Sequence, residues 1–336
     1  VCSLGRPAQA DEQADEQEQQ PSAGRRELRP PAQQGLLPAG PYYATYHGHS
    51  ARHLEQALGA LRRAHAACAT AIFLAGDSSL DNKAWLFNQG ALAERWRPGA
   101  AHAPARNGYE FLLSPPRMVC DVTYWMNQIL WDLGADAFAV NTALEATTLA
   151  SRVGGVECCV VPSCGGLYEQ ELLLRDRIRP SDMLVISIGG NDIALAPSVF
   201  TAIAIVLLML SPWFTLCTLN PAVAYFVFMF RFQVQCYAHE LTAKTTPSKI
   251  AVCMIYHLDE RNGNSWANPA LCALCYCCFP GLLQRRLRVV FELGTSRVRV
   301  PGSEVVPIFL GDALDGRCTE DYCQRVEPSV IGGQKI

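Results

Sequence analysis

The chain has 336 residues with 28 basic and 31 acidic side chains, a net charge of -3, 50% apolar residues and 18% charged ones. That length allows one large domain or two ordinary ones, and so much apolar material excludes wholesale disorder. With only the short basic pairs at 25–26, 62–63 and 285–286, the chain lacks the cationic footprint that neutralises a phosphate backbone, which excludes nucleic acid as a partner.

Residues 1–40 read as a low-complexity leader, because 8–35 is rich in Gln, Glu, Ala and Pro and has almost nothing to bury. No apolar run follows a basic start in the first thirty residues, so no signal peptide is expected, and order is expected to begin near Pro41. Ser50 then caps a predicted amphipathic helix carrying Leu54, Leu58, Leu61 and Ala64 at helical spacing. Five short apolar runs follow at 70–75, 135–140, 183–188, 250–256 and 305–310. Each is too short for a buried helix, lacks clean alternation and is separated from the next by room for a crossover helix. That pattern predicts strands covered on both faces of one parallel, five-stranded α/β sheet, in a domain spanning 41–336.

Ligands of such sheets sit beyond the carboxyl ends of the strands, so the residues after each run carry the chemistry. The first run ends in Gly76-Asp77-Ser78-Ser79-Leu80-Asp81-Asn82, the second leads into Asn141-Thr142-Ala143-Leu144-Glu145-Ala146, and the third ends in Gly189-Gly190-Asn191-Asp192. A serine in a tight strand-to-helix turn exposes its hydroxyl as a nucleophile. An Asn amide after two glycines is placed to donate to an oxygen gaining charge. The bland alternative at each turn is a helix cap by Asp77, Ser78, Asn191 or Asp192.

These blocks resemble the SGNH (GDSL-type) hydrolase superfamily, through FLAGDSSLDN at the first strand end and VISIGGNDIAL at the third. The resemblance implies a three-layer, flavodoxin-like fold of sheet order 2-1-3-4-5, a nucleophilic Ser78 and an oxyanion hole. The hole would comprise the Ser78 N–H, a second-block N–H at Glu145 and the Asn191 side chain, with Asp77, Gly190 and Asp81 contacting the substrate. Two blocks depart from the family. Glu145 falls where the second-block glycine belongs, and a carboxylate there opposes an oxyanion unless turned away. In Gln324-Arg325-Val326-Glu327-Pro328-Ser329, Gln324 and Glu327 occupy the positions of the family's Asp and His. The base is then sought in Glu327 itself, in Asp321 or Glu320, or in His257 at the end of the fourth run.

No metal or cofactor is expected. His47, His49 and His53 read as solvent-facing, and Cys272, Cys275, Cys277 and Cys278 lack the second ligand couple of a zinc site, which leaves core packing or palmitoylation. The fifteen cysteines read as reduced core thiols, favouring a cytoplasmic location. From Ile193 to Phe230 there is no charged residue. A single membrane span there would put neighbouring strands on opposite sides of the bilayer. The segment therefore reads as an apolar helical hairpin, broken at Pro212 and at Asn220-Pro221, packed on the sheet in preference to lying in a membrane interface. The chain ends where a last helix begins, so a C-terminal truncation is expected. Three functions follow: an acyl hydrolase acting on a small-molecule or lipid ester, a catalytically impaired relative that binds a lipid, ester or glycan, or a membrane-associated protein that uses the 193–230 segment.

Overall fold

The computed structural model describes Leu28 and residues 35–86, 101–153, 165–212, 215–217 and 219–336. Apart from Leu28, the leader lies outside the described residues up to position 34. The chain joins the fold slightly ahead of Pro41: Leu37–Pro38 pairs with Leu113–Ser114, and the short helix Ala39–Tyr43 buries Tyr42 and Tyr43. Helix α1 (Ala51–Ala64) starts where expected, with the Ser50 hydroxyl accepting the His53 N–H at 3.3 Å.

The five runs form strands β1 (Thr70–Gly76), β2 (Ala137–Asn141), β3 (Met183–Ser187), β4 (Lys249–Met254) and β5 (Glu304–Phe309). All pairs are parallel, in the order β2-β1-β3-β4-β5, which is the expected flavodoxin-like order 2-1-3-4-5. Alternate side chains of β1 serve the two outer layers. Ala71, Phe73 and Ala75 join a large core with Leu54, Leu61, Leu174 and Phe230, while Ile72 and Leu74 pack on the opposite face with Leu80 and Val122. Burial of each such aliphatic side chain stabilises by about 1.5–3 kcal/mol, so both faces fix the register. The first layer contains α1, α3 (Glu169–Arg177), α4 (Val199–Leu210), α5 (221–241) and α6 (Pro280–Leu293), and α2 (Val122–Asp132) covers the second, with α7 (Val330–Lys335) packed against it. Helix α5 is continuous from Pro221–Val227 through a π-helical turn, Phe228–Gln233, to Val234–Leu241.

The expectation of strands covered on both faces fails for β5. It is an edge strand whose Val306 and Ile308 are each 39% exposed, and it tolerates Pro307 because an edge leaves one side of the ladder unpaired. The cysteine expectation also fails in part: Cys120 and Cys253 are buried thiols, but Cys68, Cys217, Cys236, Cys272, Cys275 and Cys278 are exposed.

The uncharged segment is a helical hairpin of α4 and the start of α5. Asn220 caps α5 by accepting the Ala222 and Val223 N–H groups, with Pro221 in the first turn where its missing donor is harmless. The packed-core reading holds for one face only. Ala204, Leu208, Val223 and Phe226 are buried, but Val199, Phe200, Ile203, Val206 and Leu210 are more than half exposed. Among the described residues no helix is long and apolar enough to cross a membrane.

Candidate active site

Gly76 permits the close approach of β1 to β3. Its φ is +141°, and a Cβ there would lie 1.8 Å from the Ser187 carbonyl oxygen. The carboxylate of Asp77 then organises the turn. Oδ1 accepts the Ser79 N–H and hydroxyl at 3.1 and 2.8 Å, and Oδ2 accepts the Gly189 N–H at 3.1 Å. Asp77 thus behaves as a turn cap and also ties the first strand-end turn to the third. Ser78 is not consumed in capping; its Oγ donates to Glu327 Oε1 at 3.0 Å.

At the third turn Gly189 has φ +111°, and an added Cβ would meet the Phe230 ring at 2.7 Å. The short helix Gly190–Ala194 presents Asn191, whose Nδ2 donates to the Thr147 carbonyl at 3.0 Å. An amide nitrogen carries two hydrogens, so this bond orients the side chain and leaves a second donor. Asp192, weighed as a cap for its own helix, instead accepts the Leu149 and Ala150 N–H groups at 2.7 and 2.9 Å, joining the third turn to the second. Asp77, Ser78, Gly190, Asn191 and Glu327 line one cavity, with about 90 Å³ open to the centres of water-sized molecules. Its remaining walls are largely apolar and include Ile193, Ile255, Leu258, Trp266 and Leu271.

The second turn differs from expectation. The Glu145 N–H donates to Asp81 Oδ2 at 2.9 Å and so is not directed at an oxyanion. The left-handed conformation that favours glycine falls one residue later, on Ala146 at φ +56°. The Glu145 carboxyl is turned toward Trp85, whose Nε1 donates to Oε1 at 2.6 Å, and Trp85 stacks on Trp266 with ring centroids 6.2 Å apart. Burial, followed by the nearby Asp81 charge, pushes Glu145 up to about 8. Asp81 is not a substrate contact. Fully buried and absent from the cavity wall, it accepts the Gly48 N–H at 2.9 Å and the Lys83 ammonium at 2.5 Å, bracing three segments.

Of the candidate bases, Glu327 alone meets Ser78. Burial, then the Glu145 charge, raises its pKa well above the usual carboxylate value, and the Ser78 hydrogen bond pulls the other way. Its Oε2 has no hydrogen-bond partner among the described residues. His257 is misplaced as a base: Tyr256 and Leu258 line the cavity, but the His257 ring packs against Phe309 with centroids 5.4 Å apart, and burial lowers its pKa. Asp321 is held by Lys335 at 2.7 Å, and Glu320 is exposed. Gln324 and Arg325 take successive left-handed conformations, φ +51° and +69°, and the Arg325 guanidinium bonds the Asp259 carbonyl at 3.0 Å and Asn268 Oδ1 at 2.7 Å. This kink leads the chain back through Val326 to Glu327.

The histidines ahead of α1 are not uniformly solvent-facing. His49 is buried and stacks on Tyr42, with Nδ1 2.8 Å from the Tyr42 carbonyl, while His47 Nδ1 lies 2.8 Å from the Glu145 carbonyl. Among the described residues no three His, Cys, Asp or Glu side chains gather as a metal site. Of the cysteines of 272–278, Cys272, Cys275 and Cys278 are exposed and Cys277 is half-buried against the core: the neighbouring Leu271, Leu274 and Tyr276 are buried, and Cys272 Sγ lies 2.8 Å from Cys277 Sγ.

Several supporting residues were not singled out from sequence. Asn82 donates to the Pro328 carbonyl at 3.0 Å and accepts the Val122 N–H at 3.2 Å, tying the serine turn to the Glu327 segment. Arg152 bonds the Gly76 carbonyl at 3.1 Å, the Thr148 carbonyl at 2.8 Å and Glu171 at 2.5 Å. The available signal was the density of charged and amide side chains just after strand ends, where short turns leave them little access to water.

No protein-family model matches the sequence, and no curated protein matches it. Among solved structures, an extracellular lipase from Streptomyces rimosus is similar at 12% identity and a TM-score of 0.38, covering 80% of this chain and 96% of the lipase. A phospholipase A1 from Streptomyces albidoflavus NA297 is similar at 12% identity and a TM-score of 0.34, covering 79% and 94%. The sheet order, the serine after β1 and the asparagine after β3 agree with what the likeness of the sequence blocks implied, while Gln324 and Glu327 stand where that likeness led one to expect an Asp and a His.

Proposed function

We propose that the protein is a serine acyl hydrolase that cleaves a carboxylic ester through an acyl-enzyme, with Glu327 taking the part usually given to histidine. The observation that carries this reading is the 3.0 Å hydrogen bond from Ser78 Oγ to Glu327 Oε1, in the wall of an apolar cavity that Asn191 also lines. Ser78 attacks the ester carbonyl as its proton passes to ionised Glu327. The tetrahedral oxyanion is held by the free hydrogen of the Asn191 amide and the Ser78 N–H. Glu327 then returns the proton to the departing alcohol, and a water molecule repeats the sequence in reverse to release the acid.

Replacing imidazole by an ordinary carboxylate would weaken the base at neutral pH. Burial compensates, because a raised pKa makes ionised Glu327 a stronger proton acceptor, while reducing the ionised fraction. Activity is therefore expected to climb with pH beyond the ordinary carboxylate range.

The same proton retention favours a second reading, a binder of esters or lipids that does not turn them over. A fluorophosphonate probe separates the two. Covalent labelling of the wild-type protein at alkaline pH, absent in Ser78→Ala, supports the hydrolase. A folded wild-type protein that stays unlabelled, together with hydrolysis appearing only in Gln324→Asp/Glu327→His, establishes the binder.

A further inference from the structure

The Ser78 cavity adjoins a second crevice beneath α4. The two share Ile193, Leu274, Leu283 and Leu287 as wall residues, and the second continues to Ile205, Leu208, Met209, Phe226, Phe230 and Val290. The junction is tied to the reaction centre, since Ile193 follows Asn191 by two residues on the helix Gly190–Ala194. One wall is a stripe of α6, Leu283, Leu287 and Val290, at the i, i+4, i+7 spacing of a single helix face. The stripe advances about 10 Å from the shared cavity into the crevice. The opposite wall is the inner face of α4, and Arg286 fixes its distance from α6: Nε donates to the Leu208 carbonyl at 2.7 Å, and the guanidinium also reaches the Met209 and Ser211 carbonyls at 3.2 and 2.8 Å. The crevice is thus a clamped space between two helices, in a segment with no charged residue from Ile193 to Phe230.

From this continuity we infer that the cavity and crevice form one channel for the acyl chain of the substrate, which assigns the protein to esters of medium- or long-chain fatty acids. The inference rests on the reading of Ser78 as the group that accepts the acyl unit. The crevice alone has about 20 Å³ open to water-sized centres, against about 90 Å³ for the Ser78 cavity. The first few carbons therefore occupy space already open, and the rest displace side chains. Met209 suits that displacement, being unbranched and free to change rotamer. Apolar walls reward each added methylene until the chain reaches the end of the stripe.

The test is the chain-length series of p-nitrophenyl acetate, butyrate, octanoate and dodecanoate with the full chain. Wild type is expected to gain about threefold to fourfold in kcat/KM per buried methylene up to at least the octanoate. Ile205→Phe and Met209→Phe, which fill the crevice from α4, are expected to lower the dodecanoate-to-butyrate ratio at least tenfold, with circular dichroism as the check on folding. A wild-type series that peaks at acetate or butyrate, or folded variants whose ratio stays at the wild-type value, overturns the channel. If no ester is hydrolysed, the Ser78 reading fails separately, and binding of the fluorescent fatty acid parinaric acid then decides the channel. Binding by wild type that weakens at least tenfold in both folded variants upholds it as a fatty-acid site, and equal binding or none refutes it.

Discussion

Replacing Glu145 by Gln tests whether burial of carboxyl groups around Ser78 controls both stability and activity. Gln keeps an acceptor for Trp85 Nε1 and removes a group whose pKa burial has pushed from 4.5 up to about 8. At about 1.36 kcal/mol for each tenfold change in proton affinity, that displacement corresponds to about 5 kcal/mol. The sign follows from proton linkage. The folded protein retains this proton over a range where the unfolded chain has lost it, so its stabilising contribution is full below about pH 4.5 and is lost as pH rises toward about 8. Urea unfolding of wild type and Glu145→Gln across that range is expected to show the variant gaining on wild type by several kcal/mol, with the difference levelling off above the upper limit. A second effect reaches the reaction, because the Glu145 charge is among the causes that raise Glu327. Removing it lowers the pH at which Glu327 ionises, so the rising limb of the kcat/KM profile moves to lower pH. A stability difference that does not change with pH refutes the account of Glu145. An unmoved rate profile refutes its coupling to Glu327.

Three further outcomes follow from the site. Glu327→Gln keeps an acceptor for the Ser78 hydroxyl but cannot take its proton, and kcat/KM toward p-nitrophenyl butyrate is expected to fall by ~10²- to 10⁴-fold with the fold intact by circular dichroism. Asn191→Ala removes the proposed oxyanion donor and is expected to lower kcat by about 10²- to 10³-fold while KM changes little, measured with the same ester. Arg152→Met leaves Glu171 buried without its cation, although Tyr237 still donates to it, and is expected to cost about 3–5 kcal/mol in urea unfolding.

The sheet was legible because its interior strands are short, apolar and well separated, and no other arrangement buries both of their faces. β5 was the exception: an edge strand alternates in burial, and Pro307 was its sequence sign. Ser78 and Asn191 were legible for a related reason, since glycines at positive φ mark sharp turns whose next residues have few places to point. The proposed base was harder to read. Glu327 and Ser78 are separated by 249 positions, and no local pattern says that an Asn82 bridge and a Gln324-Arg325 kink bring them together. His257 misled because a strand end fixes which residues alternate but not where the backbone turns after the last paired one. Tyr256 and Leu258 turned inward, and the imidazole was left against Phe309.

A carboxylate at the position proposed for the base reshapes the electrostatics beyond its own position. An imidazole base is neutral at rest and becomes a cation during attack, so nearby carboxylates stabilise the state in which it has taken the proton. A carboxylate base is negative at rest and becomes neutral, so the same neighbours now disfavour its resting charge and raise its pKa. Around Ser78 those neighbours are Glu145, Asp77 and Asp81, each of which pushes Glu327 upward. Returning a histidine to position 327 alone would place it among these carboxyls with Gln324, not an acid, at the family's Asp position. Gln324→Asp/Glu327→His is therefore expected to replace the wild-type pH dependence of the rate by an inflection in the imidazole range, shifted upward by the remaining carboxylates. A double variant that keeps the wild-type pH profile would show that residue 327 is not the proton acceptor.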